Sequence, residues 1–474
     1  QVAGNLGIDY IHKEDSYIDF NRQKLMPFKH SDRGPGHALL DFNADGELDI
    51  IWGGSHHMPN KLFVWKDTSF VETPLPTSLR DSVIEVMEIA IADIDGNGGQ
   101  DIFLGTGGSF FFNDMPPLLD QVLIQRNAAL APTAIPESYS NTSVVSAHDY
   151  DGDGDKDLFC GNLGITNDYG QIPTSHLYAN QNGNLTSIPL PKQGKLGMLT
   201  DALWDDVDKD GTKDLIIIGE WMSPQVLYNR NGKLENPKPM MDGLNGLWQC
   251  LIAHDIDRDG DRDYILGNWG SNAKFKASKE HPMKMYYGDL DGNGQTETLV
   301  TIEKNGRYYP LENSMDILSQ LQSLRKKYPN YADFAGKDIQ EILGDAFEDA
   351  QVLEAQELRS GYLLNKEEGF EFHPFQNELQ VSPIMALAEH DFDGDGENEL
   401  LAAGNYFGVK PLQGRFDSFP GALIDGEKSV LLTNGLGLDL AQKSVRHLSI
   451  LQSDGKEYLL VTVNNGAAII YQIK

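Results

Sequence analysis

The sequence predicts an all-β fold in which four-stranded sheets repeat around a seven-bladed β-propeller with Asp-rich loops and a small helical insertion. Three observations predict it. A nine-residue pattern, Asp-x-Asp/Asn-x-Asp/Asn-Gly-x-x-Asp/Glu, occurs seven times in the 474 residues, beginning at Asp41, Asp93, Asp149, Asp206, Asp255, Asp289 and Asp391. The starts lie 52, 56, 57, 49, 34 and 102 residues apart, and periods near 50 mark repeated supersecondary units. Short apolar runs flank the loops, such as 89–92 before the second and 215–218 after the fourth, so each loop joins two strands.

Each loop offers hard oxygen ligands at positions 1, 3, 5 and 9, a carbonyl at position 7 and a glycine at position 6 for the sharp turn, which is calcium-loop chemistry. The third is the fullest, with Asp149, Asp151, Asp153 and Asp157 around the carbonyl of Asp155. The fourth has Asp206, Asp208, Asp210, Thr212 and Asp214, and the fifth Asp255, Asp257, Asp259, Asp261 and Asp263. The seventh has Asp391, Asp393, Asp395, Glu397 and Glu399. A neutral Asn replaces one carboxylate in the first (Asp41, Asn43, Asp45, Glu47, Asp49), the second (Asp93, Asp95, Asn97, Gly99, Asp101) and the sixth (Asp289, Asp291, Asn293, Gln295, Glu297). Ligand charge tunes affinity, so these three are expected to bind more weakly. An EF-hand needs a bidentate Glu at position 12 and flanking helices. Position 12 here is Trp52, Leu104, Cys160, Ile217, Leu266, Val300 or Ala402, so that reading fails. Up to seven Ca²⁺ ions are expected, and no other cofactor.

The third repeat outlines the unit: a strand into the loop, a strand out of it, then a hairpin turning at 181–184. Two hairpins make a four-stranded meander, one blade. The C-terminus holds a degenerate repeat, 447–463, that keeps the strands without the ligands, and its outermost strand has no partner there. The strand-like segment 8–12 is expected to supply one and so close the last blade, making 1–474 a single propeller domain. The stretch 267–385 is irregular. A helical insertion is expected over 311–360, capped by Asn313 or Ser314, with Ile317, Leu318, Leu321 and Leu324 at helical spacing. Seven blades are expected if the sixth loop lies in an outer hairpin of blade five, eight if it begins its own blade.

Formal net charge is -33, and the ligand positions hold 25 of the 71 acidic residues. Seven divalent ions would bring that to about -19. No basic footprint exists, so nucleic acid is excluded as a partner. No run of 18 apolar residues appears, so no membrane-spanning segment is expected. No signal peptide is visible, and the start at Gln1 reads as a processed boundary. The two cysteines, Cys160 and Cys250, lie in predicted buried strands two repeats apart and read as free thiols.

The repeated loops resemble the FG-GAP/VCBS repeat propellers of integrin α heads and bacterial surface proteins. The segments Gly7-Ile-Asp-Tyr-Ile-His12, Ser31-Asp-Arg-Gly-Pro-Gly36, Asn272-Ala-Lys-Phe-Lys-Ala277 and Gly414-Arg-Phe-Asp417 are similar to the ASPIC/UnbV-associated, cartilage acidic protein-like proteins of Bacteroidota. The resemblance implies the fold, calcium and an exterior location, extracellular or on a bacterial outer-membrane surface. The integrin-type Phe-Gly, Gly-Ala-Pro cassette is not cleanly preserved, which weakens any integrin-like ligand face.

No nucleophile elbow, zincin helix or phosphate loop is present, and no catalytic residue is assigned. The leading expectation is a non-enzymatic propeller that binds a protein or glycan. The alternative is a calcium-dependent polysaccharide lyase, for which Arg307, Tyr308, Tyr309 and His281 form the nearest cluster of suitable types. His148, His254 and His390 each precede a loop and read as packing or hydrogen-bonding groups. His56-His57-Met58 could hold a soft metal, and Trp52, Trp204, Trp221, Trp248 and Trp269 read as core, one or two of them free to stack on sugars at the propeller mouth.

Overall fold

The computed structural model describes residues 1–473 apart from 77–82, 127–128, 134, 137, 367 and 428. Among these residues the chain forms eight antiparallel sheets, six of four strands, one of five and one of three. Seven follow one another along the chain, with first strands His37–Leu40, Val86–Ala92, Thr142–His148, Met198–Asp205, Cys250–His254, Ile384–His390 and Ser444–Ser453. Each first strand runs into a loop and pairs with the strand that leaves it. Those second strands, such as Asp49–Trp52, Asp101–Thr106, Asp157–Asn162 and Glu399–Gly404, are buried along their whole length. Both of their faces are covered, so they read in sequence as continuous apolar runs rather than as alternation.

The covering is mutual. Ile51 and Leu62 of the first sheet pack on Ile102 and Leu123 of the second. Phe103 of the second packs on Leu158 and Tyr178 of the third. Phe159 meets Leu215 and Ile217, and Ile216 and Ile218 meet Tyr264 and Leu266. Ile265 meets Leu400, and Leu401 meets Leu459 and Val461. Finally Leu460 and Ile470 of the last sheet pack on Ile50, Trp52 and Phe63 of the first. Neighbouring residues of one strand thus serve opposite interfaces, as period-two side-chain alternation requires.

The N-terminal segment lies along the outer strand of the last sheet, Ile469–Gln472. Val2 N donates to Ile470 O at 2.8 Å, Ala468 N to Tyr10 O at 3.1 Å, and His12 N to Gly466 O at 2.9 Å. The Tyr10 ring stacks on Trp52 of the first sheet with centroids 4.4 Å apart.

The eighth sheet falls inside the fifth, between Asp263–Gly267 and Gly361–Lys366. Its strands are Met283–Gly288, Glu297–Lys304, Arg307–Pro310 and Gln351–Ala355, and the sixth loop turns between the first two. That loop thus lies in a sheet of its own rather than in the expected outer hairpin of the fifth sheet, because the strands flanking it pair with each other and with 351–355. The helices are shorter than expected: Ser314–Gln320, capped by Asn313 Oδ1 accepting from Asp316 N, then Tyr331–Phe334, Ile339–Leu343 and Ala346–Asp349. Residues 351–355, read from sequence as part of the helical insertion, form a strand because Met283–Gly288 offers them a long-range partner.

The first strands of six sheets surround a cavity of about 300 Å³. Five of these strands shift register near their starts, and such bulges re-aim side chains. Arg33, Glu88, Asp201, Gln249 and Arg446 line the cavity. Burial, reinforced by the nearby Asp201, pushes the Glu88 carboxyl up to about 8. Burial likewise pushes Asp201 to about 7, although it accepts hydrogen bonds from Leu251 N and Ala202 N.

Tyr10→Ala is expected to cost about 3–5 kcal/mol in chemical denaturation, as for other buried aromatic truncations, whereas Tyr331→Ala, 69% exposed, should stay within about 0.5 kcal/mol. Equal losses would contradict the N-terminal packing. A carboxyl raised by folding binds its proton more tightly in the native state, so Glu88 favours folding at low pH and loses that contribution as pH climbs from about 4.5 through 8. Glu88→Gln should therefore flatten the fall in stability across that window.

Candidate metal centre: the acidic loops

One hydrogen-bond frame recurs in all seven loops. The position-1 carboxylate accepts from the position-6 glycine N–H at 2.9–3.0 Å. That glycine has φ between 82° and 100°, where a side chain would be strained. The position-5 side-chain oxygen accepts from the position-7 N–H at 2.6–3.1 Å. The position-9 carboxylate turns inward and accepts from the position-2 N–H at 2.7–3.2 Å.

In the first five loops position 9 does more. Its second oxygen accepts from a backbone N–H of the third strand of the same sheet or, for Asn229, two residues beyond that strand's end at Leu227: Trp65 to Asp49, Gln125 to Asp101, Asn180 to Asp157, Asn229 to Asp214 and Asn365 to Asp263, all at 2.7–2.8 Å. Burial pushes Asp49, Asp157, Asp214 and Asp263 up to about 6 and Glu297 up to about 7. Three of the third-strand residues also reach the preceding sheet. The side-chain amides of Gln125, Asn180 and Asn229 donate to the carbonyls of Phe42, Ile94 and Tyr150, each at position 2 of the previous loop. Sequence reasoning missed these links. Their only trace is that Asn180 and Asn229 each stand two residues before an Asn-Gly turn and cap it.

The frame leaves oxygens gathered for a cation. Ligand atoms of Asp391, Asp393, Asp395 and Glu399 all lie within 4.8 Å of one another, as do those of Asp93, Asp95 and Asp101, of Asp149, Asp151 and Asp157, of Asp206, Asp208 and Asp210, and of Asp255, Asp257 and Asp259. That separation is about twice a Ca²⁺–oxygen distance of about 2.4 Å. Asp291 Oδ1 in the sixth loop is buried with no hydrogen-bond partner, as a ligand oxygen awaiting a cation would be. The donor set is all oxygen, which suits Ca²⁺ and not a soft metal. Among the side chains at position 7, that of Glu47 is committed elsewhere: it accepts from Ser453 Oγ and Asp454 N of the last sheet.

The other candidate residues take structural places. His254 and His390 pair with Glu389 and Glu457 of the following sheet at 3.2 and 3.1 Å, while the His148 ring lies tilted against Trp204 with centroids 5.1 Å apart. The five singled-out tryptophans are at most 6% exposed, so none offers a ring face to a sugar; the expectation of mouth-facing tryptophans is corrected by the burial of Trp52, Trp204 and Trp248 between sheets and of Trp221 and Trp269 in a cluster with Phe28, Tyr169, Phe275 and Tyr406. Both cysteines are buried free thiols. His56 and His57 have ring centroids 3.9 Å apart, but Met58 Sδ instead accepts from Lys13 N. His281 pairs with Glu303 and Arg307 with Asp338, on the inserted sheet and its helices.

No helix is long and apolar enough to cross a membrane among the described residues. Residues 41–104 and 206–266, which carry loops one, two, four and five, match the family described as FG-GAP-like repeat, in support of an FG-GAP repeat propeller. No curated protein matches. Among solved structures the chain is similar to the Vibrio cholerae biofilm matrix protein Bap1, at 11% identity and a TM-score of 0.42 over 98% of this chain and 90% of that one. It is also similar to an Agrocybe aegerita lectin that recognises non-reducing terminal N-acetylglucosamine, at 12% identity and 0.41 over 93% and 86%. A third is the extracellular domain of a putative hybrid two-component system from B. thetaiotaomicron, at 12% identity and 0.42 over 94% and 39%.

Proposed function

We propose that this chain is a calcium-stabilised, non-enzymatic propeller of seven blades that binds a protein or glycan outside a bacterial cell. The blade number is supported by the seven inter-sheet cores, the last of which returns to the first sheet. On this reading the eighth sheet is an insertion in blade five, and residues 1–12 complete the last blade. The observation that carries the metal is the loop frame, which recurs in all seven loops of a chain of formal charge -33 and leaves carboxylate oxygens gathered within 4.8 Å in at least five of them. Bound Ca²⁺ supplies charge neutralisation. The chain's own residues orient the oxygens and tie each cage to its strands through position 9. Extracellular calcium, up to about 10⁻³ M, fills even weak loops, which favours an exterior location. The kinship to ASPIC/UnbV-associated proteins belongs to the same reading.

The partner-binding face on this reading lies opposite the acidic loops, where second strands end. There the segment after Asp101–Thr106 presents Phe110, 39% exposed, and Phe112, 55% exposed. Arg22 lies over Phe112 at 4.6 Å and over Tyr17 at 5.2 Å, and His56 stacks on Phe110 at 4.3 Å. Exposed rings beside a cation suit a sugar face or a protein hot spot.

Excess chelator should lower the melting temperature strongly, because ions that bind only the folded state stabilise it by mass action; an unchanged melt would refute the calcium reading. Asp151→Ala should destabilise only when calcium is present. Asp157→Ala should destabilise in chelator as well, by about 1–3 kcal/mol for each stranded N–H of Tyr150 and Asn180. On a glycan and protein array probed with calcium, Phe112→Ala should lose at least tenfold in signal against any specific ligand, with its melt unaltered.

A further inference from the structure

The seven loops are not chemically equivalent. Because the third-strand N–H is pinned to position 9, the next side chain along that strand is delivered to the mouth of the loop. In the second sheet that residue is Arg126, whose Nη2 lies 3.0 Å from Asp95. In the fourth it is Arg230, just beyond the strand Gln225–Leu227, which bridges Asp208 at 2.5 Å and Asp210 at 2.9 Å. In the fifth it is Lys366, 2.6 Å from Asp257 and 3.7 Å from Asp259. All five carboxylates stand at positions 3 and 5, the oxygens assigned above to the metal. In the third sheet the same place holds Gln181, which carries no charge. In the first it holds Lys66, which makes no ion pair with its loop among the described residues. The sixth loop has no such strand beside it, since the third strand of its sheet, Arg307–Pro310, pairs at the far end of Glu297–Lys304. The seventh loop has no cation on its ligand positions among the described residues, and only its position-7 Glu397 is approached, by Arg258 at 3.8 Å.

We propose that Arg126, Arg230 and Lys366 are tethered counter-ions that hold loops two, four and five in shape without metal and compete with Ca²⁺ for them. This rests on the calcium reading of the loops. A tethered side chain has a high effective concentration but brings one charge where calcium brings two, so it is displaced at high calcium and governs the loop at low calcium. Counting carboxylates alone ranks loops three, four, five and seven together. The tethers split that group: three and seven bind Ca²⁺ tightly, four and five only weakly.

The test is calorimetric titration of the divalent-free chain with Ca²⁺, paired with melts in chelator and in saturating Ca²⁺. Arg230→Ala and Lys366→Ala should each tighten one class of site by roughly three- to fivefold, the worth of a partly exposed ion pair. Both should lower the melting temperature in chelator while leaving the melt in saturating Ca²⁺ equal or higher. Lys66→Ala, which removes a cation beside a loop but no ion pair, should change neither readout, and Arg230→Lys should restore wild-type behaviour. If Arg230→Ala and Lys366→Ala match wild type in titration and in chelator, or if Lys66→Ala matches them, the tether is overturned. If instead wild type takes up no Ca²⁺ at millimolar concentration, the calcium reading fails, and the chelator melts alone still decide whether the counter-ions matter.

Discussion

At the ninth position of every loop a carboxylate is withdrawn from solvent and accepts a backbone N–H from the loop itself, and in five loops a second N–H from a strand. Burying that charge is costly, and burial raises the Asp157 and Asp214 carboxyls above the usual carboxylate range. The expense is tolerated because the donors would otherwise be orphaned at the point where a turn meets a sheet. Everything else in the repeat follows from this clamp. It fixes where the second strand starts, which residue of the third strand faces the preceding sheet, and which side chain hangs over the acidic cage.

The same clamp explains how one strongly acidic chain accommodates seven carboxylate-rich loops. Within each loop the like charges are separated by backbone N–H groups that point at them, so the cage is held open by its own main chain. Across loops the amides of Gln125, Asn180 and Asn229 tie the second, third and fourth sheets to their predecessors without adding charge. The histidine–glutamate pairs take over that task where the fifth, sixth and seventh members of the series meet.

Much of this was legible in the residues. The loops announce themselves because their ligands sit within nine consecutive positions, and the second strands because both faces are apolar. The overall class follows from the period together with the strand-like flanks of the loops. Other features depend on partners far along the chain and left no local mark. The pairing of Met283–Gly288 with Gln351–Ala355 turns part of an expected helical insertion into sheet. Arg446 lies in a repeat without ligands, yet it lines the central cavity and donates to the carbonyls of Asn405 and Asp32. A left-handed turn at position 4 falls on Ala44, Lys209 and Arg258 as readily as on glycine, so composition does not flag it.

The meeting of residues 2–12 with the strand near 470 has a bearing on how the molecule reaches its native state. A contact between residues more than 450 positions apart forms only after all the residues between them have been made. Until then the Trp52 face of the first sheet and the outer edge of the last sheet are both unprotected. Such non-local closure is slow, and open strand edges invite pairing with a second copy. This contact is therefore where folding and domain swapping compete, and its strength sets how long those surfaces remain vulnerable.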